Sequence, residues 1–269
     1  KDVEADFLTR NKDYFGAMIA ALDFAKSSSI DEINNWVDSN TEHRIQKVIE
    51  SIDPNAQMFL INTIYFKADW LMELAKESNR QGVFHSDTDL NVTMMHMLES
   101  IPYVENTNYQ AIQLDYKDQK TSMILVVGKN SDIPITSNSQ FNQLVKGFQT
   151  TSVDLTMPKV NITTDESLAE TLEKLGLTKA FDPDQADFSA LSKTALDRQL
   201  YLMDVLHKTT LTIDEKGTEA AAATTVIVGD TSMPINQATL LIDHPYQVFI
   251  IDNESKLILF SGFIKNPLK

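Results

Sequence analysis

Residues 215–228, Glu-Lys-Gly-Thr-Glu-Ala-Ala-Ala-Ala-Thr-Thr-Val-Ile-Val, constrain the fold more than any other stretch of the chain. Alanine is the best helix former, so Thr218–Ala223 alone reads as a short helix with a threonine cap. The β-branched run Thr224 to Val228 that follows favours a strand instead. Taken at period two, one face carries Thr218, Ala220, Ala222, Thr224, Val226 and Val228, all of which can be buried. The opposite face carries Glu219, Ala221, Ala223, Thr225 and Ile227, and Glu219 requires that this face meet water. The segment can therefore be an exposed loop or a strand, and any fold proposed for the chain must accommodate both.

At 269 residues the chain can bury a large core. A net charge of −15 excludes nucleic acid as a natural partner, because the phosphates would be repelled. There is no cysteine, which rules out disulfides, thiolate metal sites and thiol catalysis. No apolar run is long enough to span a bilayer as a helix. The sequence holds no Gly-x-Ser-x-Gly elbow, no His-Glu-x-x-His and no phosphate-binding glycine loop. Its five histidines, His43, His85, His96, His207 and His244, are scattered. An enzyme is not expected, nor is a metal or cofactor.

Apolar positions from Val3 to Leu22 recur at helical spacing across residues 3–24, and a second helix is predicted over 30–40. Met58–Phe66 is a nearly continuous apolar run, as for a strand buried on both faces. Residues 109–114 and 121–127 read as a strand pair split by Lys117-Asp-Gln-Lys. Strands are also predicted at 153–157 and at 200–213, the latter interrupted by His207 and Lys208. Leu168–Leu177 reads as a short helix closed by Gly176. Strands at 238–242, 247–252 and 257–263 close the chain, with a turn at Asn253-Glu-Ser-Lys. Without regular βαβ alternation, the class is α+β.

Leu211-Thr-Ile-Asp-Glu-Lys-Gly-Thr-Glu-Ala-Ala resembles the hinge of the reactive-centre loop of serpins, the serine-protease inhibitors. Ile33-Asn-Asn-Trp-Val37 with Thr41 and Ile45 is similar to that family's helix F motif. Leu60-Ile-Asn-Thr-Ile-Tyr-Phe-Lys-Ala-Asp-Trp70 resembles its central strand and breach. Thr93-Met-Met95, Met157-Pro-Lys159, Leu175-Gly-Leu177, Phe181, Ala186-Asp-Phe-Ser189, His207-Lys208, His244-Pro-Tyr246, Leu259-Phe-Ser-Gly262 and Asn266-Pro267 follow in the family's order. Each is weak alone, but the ordered set is specific. One departure stands after Trp70, where Leu71-Met-Glu-Leu-Ala-Lys-Glu-Ser-Asn79 replaces the usual Pro-Phe pattern.

The resemblance implies one α+β domain over 1–269 with three β-sheets, matching the C-terminal three quarters of the family's length without helices A to D. It implies a reactive-centre loop over 215–234, with a hinge of Glu215, Gly217, Thr218, Glu219, Ala220, Ala221, Ala222 and Ala223. Asn62 and His207 match the shutter that hydrogen-bonds beneath the opening sheet. Trp70 matches the breach tryptophan, and Lys159 with Glu215 the breach ion pair. The implied function is suicide inhibition of a serine protease, which acylates itself on the loop and is trapped when the loop inserts as a strand. The hinge carries no bulky, charged or proline residue at its small positions, unlike members that act as binding or storage proteins, which remain the alternative.

Counting seventeen residues from Glu215, as the family does, puts the cleaved bond at Thr231–Ser232, with Val228 or Met233 as alternatives. Such a bond suits an elastase-like or subtilisin-like protease rather than a trypsin-like one. The resemblance further implies an extracellular or cell-surface location, and completion of the fold by an upstream segment or an N-terminal fragment of the same protein. Asn91, Asn161 and Asn253 are glycan sequons, relevant for a secreted eukaryotic protein.

Overall fold

A computed structural model describes residues 3–53, 56–130, 133–193, 200–218 and 237–269. The elements are helix α1 (Ala5–Phe15), helix α2 (Ser28–Asn40), strands β1 (Phe59–Tyr65), β2 (Ala68–Asp69), β3 (Arg80–His85), β4 (Asp89–Glu105), β5 (Tyr109–Asp115) and β6 (Thr121–Gly128). They continue with helix α3 (Asn138–Gly147), β7 (Gln149–Pro158), β8 (Val160–Ser167), helix α4 (Ala169–Lys174), β9 (Asp204–Ile213), β10 (Gly217–Thr218), β11 (Gln237–Leu241), β12 (Tyr246–Asp252) and β13 (Ile258–Ile264). Three sheets result, with two, three and eight strands, in agreement with the α+β expectation. The chain divides into two packed units, Lys1–Tyr65 with Thr163–Thr210, and Phe66–Ile162 with Leu211–Lys269.

In the first unit β1 and β9 run parallel, in register from Phe59 opposite Asp204 to Tyr65 opposite Thr210. β8 lies on the other side of β9. The α2 motif packs here: Val37, Ile45, Val48 and Ile49 form a buried cluster with Ile33, Trp36, Ile61 and Leu206 against it. Two polar side chains of that motif do structural work. Asn34 Nδ2 donates to the Ile49 carbonyl at 2.8 Å, and its Oδ1 accepts from the Val48 and Ile49 amides. Buried Thr41 donates to the Val37 carbonyl and accepts from the Ile45 amide, so the chain leaves α2 by a fixed path.

The second unit is built on the eight-stranded sheet, ordered β11-β7-β4-β5-β6-β12-β13, with β3 pairing β4 off this path. β6 and β12 lie inside it with both faces covered. Met123, Leu125, Val127, Tyr246, Val248 and Ile250 face the larger cluster, while Ile124, Val126, Phe249 and Ile251 face α3 through Phe141 and Leu144. That two-sided burial explains their unbroken apolar runs.

Four sequence expectations need correction. α1 stops at Phe15 rather than near Leu22, because Gly16 takes a left-handed conformation and its amide closes on Lys12. Among the described residues β1 is covered on one face only: Leu60 is 54 % exposed and Asn62 is exposed, while Ile61 packs into the α2 cluster. β9 begins at Asp204, not Leu200, and passes through His207 and Lys208 without a break. β-pairing on both sides tolerates those polar residues, Lys208 meeting Asp165 at 2.8 Å and His207 meeting Asn62. α4 spans only 169–174, although Gly176 does close it: the Leu177 amide bonds to Leu172 O and the Gly176 amide to Glu173 O.

Candidate functional site

β9 ends at Ile213 and the chain reverses at once. The Asp214 carboxylate accepts from the Lys216 amide at 2.8 Å, and the Asp214 amide donates to Gly217 O at 2.9 Å. Gly217 and Thr218 then return as β10, antiparallel to β2, with Gly217 opposite Asp69 and Thr218 opposite Ala68. The approach is so close that a Cβ on residue 217 would lie 2.2 Å from the Ala68 carbonyl oxygen. Only glycine fits, because the obstacle is backbone and cannot swing aside.

The turn is gripped from several sides. Trp70, 2 % exposed, donates its indole N–H to Asp214 O at 2.9 Å, and its amide donates to Lys216 O. The Leu74 amide donates to Glu215 O at 2.7 Å. The Glu215 side chain is buried and accepts from Lys159 Nζ at 2.7 Å and from the Asn79 amide. Burial pushes the Glu215 carboxyl upward, but Lys159 and Asn79 outweigh it and hold the group below the usual carboxylate range. Thr218 is fully buried, and its hydroxyl pairs with Tyr116 Oη at 2.7 Å.

Trp70, Lys159, Glu215, Gly217 and Thr218 are thus brought together in the second unit. Within the first unit, Asn62 Oδ1 and His207 Nδ1 lie 3.0 Å apart, and His207 Nε2 lies 2.9 Å from Thr209 Oγ1. The amide oxygen can only accept, so Nδ1 is the donor of the first contact. Glu219, Ala220, Ala221, Ala222, Ala223, Val228, Thr231, Ser232 and Met233 lie outside the described residues. Sequence reasoning missed Asn79 and Tyr116. Asn79 sits in the segment that departs from the family pattern, and Tyr116 is a lone aromatic in the charged turn after β5. Among the described residues no cluster of His, Cys, Asp or Glu could hold a metal ion, and no helix is long and apolar enough to cross a membrane.

A family model described as serpin (serine protease inhibitor) matches residues 1–267. The chain is a serpin. Among curated relatives, a serpin-like protein of Methanosarcina mazei is 31% identical, covering 98% of this chain and 64% of the relative. Intracellular coagulation inhibitor 2 of Tachypleus tridentatus is 30% identical over 87% of this chain and 59% of its own length. The thermophilic serpin tengpin, solved in its native state, superposes with a TM-score of 0.86 at 34% identity, covering 99% of this chain and 70% of that one. Human thyroxine-binding globulin superposes with a TM-score of 0.87 at 29% identity, covering 99% and 72%. This serpin spans less than two thirds of the length of the first curated relatives it matches, 64%, 63% and 56%. The family includes inhibitory and non-inhibitory members, and named relatives include an intracellular one, so membership fixes neither activity nor compartment.

Proposed function

We propose that this serpin is a suicide inhibitor of an elastase-like or subtilisin-like serine protease, acting outside the cell. The protease serine oxygen attacks the Thr231 carbonyl carbon. The C–N bond to Ser232 breaks, the new amine takes up the proton, and an acyl ester to Thr231 remains. The freed strand then enters the sheet between β1 and β9, carrying the protease with it. About 14 residues at ~3.3 Å span ~46 Å, enough to drag the enzyme far from where it bound.

One observation carries this reading: β10, the start of the hinge, already lies antiparallel on β2, with Gly217 opposite Asp69 and Thr218 opposite Ala68. The line Thr218, Ala220, Ala222, Thr224, Val226 is the one that the alternation marks for burial. Its small members would enter first. Each new backbone bond nets ~0.5–1.5 kcal/mol, close to the ~1–2 kcal/mol of ordering cost per residue. Burial of the Val226 face therefore has to supply the surplus.

A second reading is favoured by the likeness to thyroxine-binding globulin and by a cleft of about 350 Å³ lined by Ile133, Ile135, Phe141, Gln247, Phe249 and Phe263. Thr136, Ser137, Asn138 and Ser261 also line it, and the Gln247 amide is bonded at both ends to the Ile135 backbone, so a small ligand would meet apolar side chains and hydroxyls there. Mixing the full-length protein with pancreatic elastase, followed by denaturing electrophoresis and sequencing of the released peptide, separates the two. An SDS-stable complex and a peptide starting at Ser232 are expected. Cleavage within the loop by elastase and subtilisin, with no complex from either and no rise in melting temperature of the cut form, refutes the inhibitory reading.

A further inference from the structure

Tyr116 is fully buried, yet its hydroxyl makes one contact among the described residues, the 2.7 Å bond to Thr218 Oγ1. Its ring is held independently of that bond. It stacks on Trp70 with centroids 4.7 Å apart and planes 10° from parallel, and it meets Phe66 at 5.0 Å. Its backbone forms a bridge to Trp70, and its amide donates to Thr121 O. Burial drives the phenol above its ordinary range, so it stays neutral and able to donate. A rigidly seated hydroxyl thus addresses the first hinge side chain of β10. Trp70, on which Tyr116 stacks, holds the preceding turn through Asp214 O.

We propose that Tyr116 is a positioning residue that keeps Thr218 docked beside Ala68 before any protease arrives, so that insertion starts from a formed nucleus. The part concerning insertion rests on the inhibitory reading above. An acyl-enzyme on Thr231 has two fates. Water adds to the ester carbonyl, returning the protease serine and leaving a Thr231 carboxylate, or the strand inserts first. A docked hinge shortens the second route, because Gly217 and Thr218 are already paired with Asp69 and Ala68 when the ester forms. Ordering the first residues is the costly part of any zipper-like process, and here it precedes cleavage.

Tyr116→Phe keeps the stack and deletes only the hydroxyl, and Thr218→Val removes the same bond from the other side. Thr218→Ser keeps it. Loss of one hydrogen bond lowers the docked-to-undocked ratio by about 2- to 13-fold. Hydrogen exchange of the Gly217 and Thr218 amides in the uncut full-length protein should quicken by that factor in Tyr116→Phe and in Thr218→Val. It should quicken no further in the double variant and stay at the wild-type rate in Thr218→Ser. With elastase, the moles of inhibitor consumed per mole of enzyme trapped should rise in the first two variants, while the rate of initial cleavage holds. A residue of purely structural importance would lower the melting temperature and leave that partition unchanged.

Unchanged amide exchange in Tyr116→Phe, or additive effects in the double variant, overturns the latch whatever the complex assay gives. Faster exchange with an unchanged partition overturns its role in insertion. Loop cleavage of the wild type by elastase and subtilisin with no complex and no rise in melting temperature refutes the inhibitory reading and the insertion step with it, while the exchange result still decides the latch.

Discussion

Replacing Lys159 by methionine tests the electrostatics of the hinge most directly. The pair it breaks is intermediate in burial: the Glu215 side chain is 9% exposed and that of Lys159 34%, with 2.7 Å between the charged atoms. Exposed pairs contribute ~0.2–1 kcal/mol, and removing one partner of a fully buried pair costs ~3–5 kcal/mol. Solvent reaching the lysine discounts the upper figure, which leaves about 2 kcal/mol for Lys159→Met at neutral pH. Methionine keeps most of the aliphatic length, so the loss reports charge and not packing. The pH dependence sharpens the test. The folded-state pKa of Glu215 is depressed, so its contribution is present above the unfolded value of ~4.3 and disappears as pH falls through the lower folded value. In the variant, burial acts with only Asn79 and the Glu215 backbone amide to oppose it, and the carboxyl gains by protonating. The gap between wild type and variant should therefore narrow as pH drops from 7 toward 4. Urea unfolding of both proteins at several pH values measures it. A difference below ~0.5 kcal/mol at pH 7, or one that stays constant down to pH 4, refutes the assignment of Glu215 as a lysine-stabilised carboxylate.

Gly217→Ala should undock β10, because the added methyl meets the Ala68 carbonyl and backbone cannot yield. Limited proteolysis near Lys216 should become faster, and equal rates would show that the hinge tolerates a side chain there. Tyr246→Phe should raise stability by ~1 kcal/mol, read as a higher melting temperature, since its fully buried hydroxyl has no hydrogen-bond partner among the described residues and pays its desolvation unreturned. A lower melting temperature would mean that a bound water satisfies that oxygen.

Legibility in the sequence followed the range of the interactions. β6 and β12 could be read because two-sided burial leaves a local mark, an uninterrupted apolar run. The hinge glycine, Trp70 and the Lys159–Glu215 pair were reached through resemblance, and the geometry then supplied their reasons. Asn79 and Tyr116 left no local mark. Their partners, Glu215 and Thr218, lie 136 and 102 residues away, and no window of sequence joins them. The end of α1 was misjudged for the opposite cause: apolar spacing continues past Gly16, but one left-handed residue outweighs it. β9 was read as broken because His207 and Lys208 look unfavourable in a strand, whereas each finds a polar partner on the neighbouring one.

The direct ladder between β1 and β9 has a consequence for how the molecule is made. Every rung joins residues 145 apart, with no turn or crossover helix to bring them together cheaply. Such pairing forms late in folding, after local hairpins such as β5–β6 and β12–β13. β1 therefore waits as an open strand edge until the chain 145 residues further on has been made, and that edge is where a wrong partner could pair in the meantime.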